Sequence, residues 1–204
     1  MRSALVKNIV LILMVQFILS GCSIFSPVKT EQTNTYVLNT LPRPVAKKHM
    51  HQINIMVMQP EASLMYETTQ MAYSTQPYRM AYFGKNNWAE TPSQMLQSLL
   101  VQTLQDTHYF HSVGVPSSLG RYDYVLSTQI LNFEQRFFGR ASEVVVTVRA
   151  QVIKVASNQV VAAKQFMVVE MAPENTPYGG VVAANQAVAK ILGKVARFCL
   201  GSVR

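Results

Sequence analysis

The 204-residue chain is poor in cysteine, acid and tryptophan, with two Cys, ten Asp plus Glu and one Trp. Two cysteines cannot frame a disulfide-stapled domain. The few acids are scattered, so no close carboxylate pair offers general acid–base work. Histidine is scarce as well. His49 and His51 form one pair, and His108 and His111 another. Neither pair has the Cys, Asp or Glu company of a zinc site, so no metal is expected. No phosphate-loop pattern and no GxSxG elbow occurs, which removes two common enzyme classes. The net charge is +8, yet no arginine-rich run or basic-aromatic cluster appears. Nucleic acid is therefore not an expected partner. Gly179-Gly180 stands before a helical pattern and could hold an anion there. A glycine pair that simply lets the helix dock explains it better. The expectation is a protein without catalysis or cofactor.

What is present begins at the N-terminus. Arg2 and Lys7 precede an apolar run from Ile9 to Leu19. That run is shorter than the roughly 20 residues of a membrane span. A basic start, a short apolar core and small residues describe a secretory leader. Leu19-Ser20-Gly21-Cys22 resembles the bacterial lipobox, in which a diacylglycerol joins the thiol and the chain is cut before Cys22. The alternatives are an ordinary signal or an uncleaved anchor. Acyl chains on Cys22 would add about 0.8 kcal/mol of membrane affinity per buried CH₂. Ser23, rather than Asp, resembles the signal for the outer membrane, with the periplasmic face expected. Cys199 reads as a small buried hydrophobe or as half of an intermolecular pair.

These features divide the chain into a leader (1–21), a lipidated tether (22–35) and one domain (36–204). A fully extended tether of that length reaches about 45 Å at most. Any component spanning the periplasm must therefore come to the domain.

Within the domain, strands are expected at Tyr36–Leu38, Ile53–Met58, Met71–Ser74 and Arg79–Tyr82, with a loop from Gly84 to Trp88. Thr91-Pro92-Ser93-Gln94 reads as a capping box with proline at the first helical position. A helix should then run to about Thr107. Phe110–Val115 reads as a strand, followed by longer ones at Tyr122–Phe137, Glu143–Ala156 and Val160–Met171. In the second of these, Val144, Val146, Val148, Ala150 and Val152 share one face. Thr147, Arg149 and Gln151 share the other, the pattern of a strand wet on one side. A loop is expected at Pro173–Gly180 and a helix at Val181–Leu200. Lys190, Lys194 and Arg197 form its solvated face. The fold class is α/β, a mixed sheet with two main packed helices.

Binding surfaces are the remaining source of function. Tyr78, Tyr82, Phe83 and Trp88 lie in or beside the Gly84-Lys85-Asn86-Asn87 segment. Aromatics with a polar tip suit interfaces, though they can equally close a core edge. Tyr82, Phe83 and Trp88 are the candidate partner contacts. Phe133, Phe137 and Phe138 near a hairpin end form a second group.

One pattern spans most of the domain. It comprises Tyr36-Val37-Leu38, MAYSTQPYRMAYFGKNNWAETPSQMLQSLLVQTLQDTHYF, YDYVLSTQILNFEQRF, VVAAKQFMVVEMAP and YGGVVAANQAVAKIL. With the lipobox, it resembles the ABC-type transport auxiliary lipoprotein family. The resemblance implies a TolB N-terminal-like α/β domain without catalysis. It implies docking of an MCE-domain protein, with an ABC permease and ATPase in the wider complex that moves lipids between membranes. It also admits a homo-oligomer. Two other functions compete with this reading: a regulator of a cell-envelope enzyme, and a carrier with a lipid cavity between sheet and helices.

Overall fold

The structure is a computed structural model that describes residues 32–43, 49–118 and 120–203. The leader, Cys22 and most of the tether lie outside the described residues. In chain order the elements are β1 (Asn34–Tyr36), β2 (His51–Val57), β3 (Glu61–Ala62), β4 (Gln70–Gln76) and β5 (Arg79–Trp88). Then follow α1 (Pro92–Gln105), β6 (Phe110–Gly114), β7 (Tyr124–Arg136), β8 (Glu143–Lys154), β9 (Gln159–Met171) and α2 (Pro177–Ser202). The mixed α/β class with two packed helices is what the sequence patterns predict.

The sheet is organised by β7. One edge of β7 pairs antiparallel with β8 along its length, and β8 pairs with β9 in the same way. The other edge is shared. Tyr124–Leu126 pair with β2, Gln129–Ile130 with β3, and Gln135–Arg136 with β4, all parallel. Beyond β2 lies β6, and beyond β4 lie β5 and β1. The sheet thus forks at β7.

β5 corrects the expected loop at Gly84–Trp88, which is strand instead. Its backbone groups are used on both edges, because β1 pairs in parallel with Asn86–Trp88 and β4 pairs on the other side. Asn34 Nδ2 donates to Asn86 Oδ1 at 3.0 Å. A polar Gly-Lys-Asn-Asn run looks like a turn, but pairing on two edges overrides that preference. β1 also starts at Asn34, inside the expected tether.

α1 begins as its residues dictate. Thr91 Oγ1 accepts from Gln94 N, Gln94 Oε1 accepts from Thr91 N, and Pro92 follows the cap. α2 uses the same device four residues earlier than expected. Thr176 Oγ1 accepts from Gly179 N at 3.0 Å, and Pro177 opens the helix. The expected loop at Pro173–Gly180 therefore ends at Thr176.

Both helices touch each other and lie on one face of the sheet, α1 over β2 and β6 and α2 over β8 and β9. Leu96, Leu99, Leu100 and Leu104 of α1 and Val188, Ile191, Leu192 and Val195 of α2 are buried, as are Val144, Val146, Val148, Ala150 and Val152 of β8. Full burial of each such large side chain is worth about 1.5–3 kcal/mol. Cys199 is fully buried and free, so the small-hydrophobe reading holds. Burial pushes its thiol up to about 12.

The other sheet face carries no helix among the described residues. A register shift between Ile130 and Asn132 lets β7 change parity. Before it, Tyr124, Leu126, Thr128 and Ile130 face the helices. After it, Phe133 and Gln135 do, while Glu134 and Arg136 turn to the open face. That face is drier than an alternating strand pattern suggests, because Val145 and Thr147 are also buried.

Candidate functional site: a groove on the open sheet face

A groove of 410 Å³ lies on this open face between the β4–β5 turn and the end of β7. Its floor is polar and tightly held. Glu134 is 8% exposed, and its carboxylate accepts from Ser74 Oγ at 3.0 Å, Asn132 Nδ2 at 3.3 Å and Arg136 Nε at 2.8 Å. A buried carboxylate with three donors is a stable partner for a charge, because its desolvation is compensated. Glu134 therefore fixes the Arg136 guanidinium, which lies 5.8 Å from the centroid of the Phe138 ring. This is a cation–π distance.

The rim is apolar and exposed. Of its lining residues, Met65, Tyr78 and Phe138 present large side chains to solvent. Tyr78 is held at φ 66°, the second residue of the Pro77-Tyr78 turn. Such a position usually takes Gly or Asn, and a bulky residue there is strained. The turn thus spends stability to display an aromatic ring in full. Tyr66, from the segment before β4, is buried nearby. Burial first, and then the Glu134 charge, push its hydroxyl from the ordinary 10.0 up to about 12.

The three candidate contacts do not converge. Tyr82 and Phe83 are half-buried and consecutive on β5, so they point to opposite faces. Tyr82 donates its hydroxyl to Met65 O at 3.2 Å and supports the groove rim from behind. Phe83 stacks on Tyr73 with centroids 4.4 Å apart, and Phe137 meets both rings edge-on. Trp88 is a correction. It is 4% exposed and packs on Phe133 at 5.5 Å beneath α2, so its ring closes the core and offers no surface to a partner. Phe138, in the second aromatic group, does reach the rim. Glu134 and Arg136 are not among the candidates read from the sequence, although they form an opposite-charge pair two apart on a strand with no other charged residue.

The glycine pair at the start of α2 is explained by close packing. A Cβ on Gly179 would lie 2.1 Å from Glu174 O, and one on Gly180 would lie 2.1 Å from Gln135 Oε1. Gln135 Nε2 donates to Ser142 Oγ and to Thr176 O, tying β7 to the helix start. The docking explanation for these glycines therefore has direct support. Neither histidine pair gathers ligands: among the described residues no group of three or more His, Cys, Asp or Glu could hold a metal. His51 instead lies against Tyr109 at 4.4 Å. No helix among the described residues is long and apolar enough to cross a membrane.

A family model for the ABC-type transport auxiliary lipoprotein component matches residues 36–196. The chain belongs to that family. It is therefore an auxiliary lipoprotein component of ABC-type transport, with an envelope membrane as its setting. Among solved structures, a Xanthomonas campestris protein assigned to family DUF330 is similar over 84% of this chain and 95% of its own. The TM-score is 0.74 at 17% identity. An uncharacterized protein is similar over 83% of this chain and 99% of its own, with TM-score 0.67 and 19% identity. At these identities the likeness establishes the fold. No curated protein matches the sequence.

Proposed function

We propose that this auxiliary lipoprotein is a non-enzymatic docking subunit. Lipid on Cys22 anchors it to the periplasmic face of the outer membrane. There it receives the distal end of an MCE-domain protein, whose ABC permease and ATPase complete the lipid-transport system. The observation that carries the docking role is the exposed rim of Met65, Tyr78 and Phe138 around a guanidinium that Glu134 holds in place. Exposed aromatics beside a fixed arginine are the composition of an interface hot spot. Strain at Tyr78 supports the same reading, since a turn that favoured stability alone would carry Asn or Gly there. Tyr82 and Phe83 act as supports for the rim, and a homo-oligomer would present several such rims at once.

Among the described residues, the space between sheet and α2 gives the interior-carrier alternative little room. The space lined by Met71, Trp88, Phe133 and Ala184 between sheet and α2 is 20 Å³. That holds about one water, whereas ligand pockets span roughly 300–1,000 Å³. The regulator alternative requires a partner among cell-wall enzymes.

A mild-detergent pull-down of the tagged, lipidated protein from its own cells, read by mass spectrometry, tests the proposal. The MCE-domain protein with its permease and ATPase should be recovered. Recovery of a cell-wall synthase in their place would overturn it in favour of the regulator.

A further inference from the structure

A second groove, of 520 Å³, lies between β9 and α2, on the helix-covered face at the far edge of the sheet. Its cations come from two elements. Lys164 stands on β9, and Lys194 and Arg197 stand on α2. Lys190 continues the α2 stripe one turn back, at the spacing that places residues on one helix face. Lys164 and Arg197 are exposed. No carboxylate lines the groove. Glu170, from the same strand, is engaged by Lys190. The floor includes Phe166 and Phe198, packed edge to face with centroids 5.8 Å apart. Lys164 Nζ sits 5.7 Å from the Phe166 ring centroid.

A solvated helix face would account for Lys190, Lys194 and Arg197 alone, near the negative end of the helix. It does not account for Lys164, which a separate strand brings to the same concavity. Mutual repulsion of three cations there is relieved by an anion bound among them. The occupant is not an added strand. Lys194 Nζ donates to Met167 O at 3.3 Å and so occupies a carbonyl that an incoming strand would need. What fits is a compact anion with an apolar continuation, the cations taking the charge and the aromatic pair the hydrocarbon.

We infer that this β9–α2 groove binds the phosphate of an anionic glycerophospholipid headgroup, with the start of its acyl region against Phe166 and Phe198. This is a surface headgroup site rather than an interior carrier cavity. It uses none of the residues of the docking groove, so either reading can fail without the other.

The test uses the full-length protein in a nonionic detergent, titrated calorimetrically with dihexanoylphosphatidylglycerol. Inorganic phosphate and octaglutamate serve as comparison probes. Saturable binding of the lipid is expected. The double variant Lys164→Gln/Arg197→Gln should weaken it about tenfold or more, through lost charge-assisted contacts. Lys164→Arg should retain it. Melting curves for each variant would confirm that these exposed positions leave the fold intact. Absence of saturable binding, or equal affinity in the folded double variant, would overturn the inference. Inorganic phosphate binding as tightly as the lipid would overturn it in favour of a free-anion site, and octaglutamate doing so would overturn it in favour of an acidic protein segment.

Discussion

At the scale of single residues, the aromatic side chains divide into those that hold the fold and those that display it. Trp88 and Tyr78 mark the two extremes, one buried on Phe133 and the other fully exposed on a strained turn. Trp88→Ala should destabilise the protein by about 3–5 kcal/mol, the usual cost of emptying a large core position. Tyr78→Asn should do the opposite, raising stability by about 1 kcal/mol as the left-handed backbone is relieved, while weakening partner recovery. Denaturant unfolding measures both, and a stability loss in Tyr78→Asn would remove the argument from strain. Cys199 and Tyr66 give a pH signature. Both groups are raised by burial, to about 12 from ordinary values of 9.0 and 10.0. Groups raised on folding stabilise the native state below their unfolded values, and that stability is lost as pH climbs toward the folded ones. The contribution of these two groups should therefore be flat up to about pH 9 and decline between there and about pH 12. Tyr66→Phe should remove the portion that sets in above about pH 10. The Cys199 thiol should resist a disulfide reagent in the native protein and react on unfolding.

At the scale of elements, what could be read from the sequence followed local chemistry, and what could not followed long-range pairing. Thr91-Pro92-Ser93-Gln94 announced α1, because cap, proline and Gln94 lie within one turn. Thr176-Pro177 carries the same start for α2, yet Gly179-Gly180 behind it imitates a loop. Those glycines are set by Glu174 and Gln135, a contact that sequence spacing does not reveal. Asn86 and Asn87 likewise look like turn residues and are strand because β1 pairs with both and Gln70 of β4 pairs with Asn87. The register shift beside Leu131 is also silent in the sequence, and it decides that Glu134 reaches the open face while Gln135 reaches the helix. The candidate contacts were legible as aromatics but not as a site, since adjacent positions on β5 face opposite ways. Two substitutions test the element-level account. Thr91→Ala should cost about 1 kcal/mol through the lost cap. Gly179→Ala should cost more than Gly180→Ala, since its Cβ meets the Glu174 backbone rather than the movable end of the Gln135 side chain. Thermal melting ranks these variants directly.

At the scale of the whole molecule, the sheet has one face closed by two helices and, among the described residues, one face left open. Closing the first builds the core. The open face carries a groove whose floor is ordered by Glu134 and whose rim exposes side chains that a self-contained domain would bury. On the proposed reading, this face receives another protein near the membrane. The most direct measurement is photo-crosslinking in living cells, with Phe138 replaced by p-benzoylphenylalanine and Lys85 as a control position. The account predicts an adduct between position 138 and an MCE-domain protein, lost when Arg136→Ala is added and absent from position 85. A position-138 adduct with a cell-wall enzyme instead, or no adduct in cells where the transporter is expressed, would contradict it.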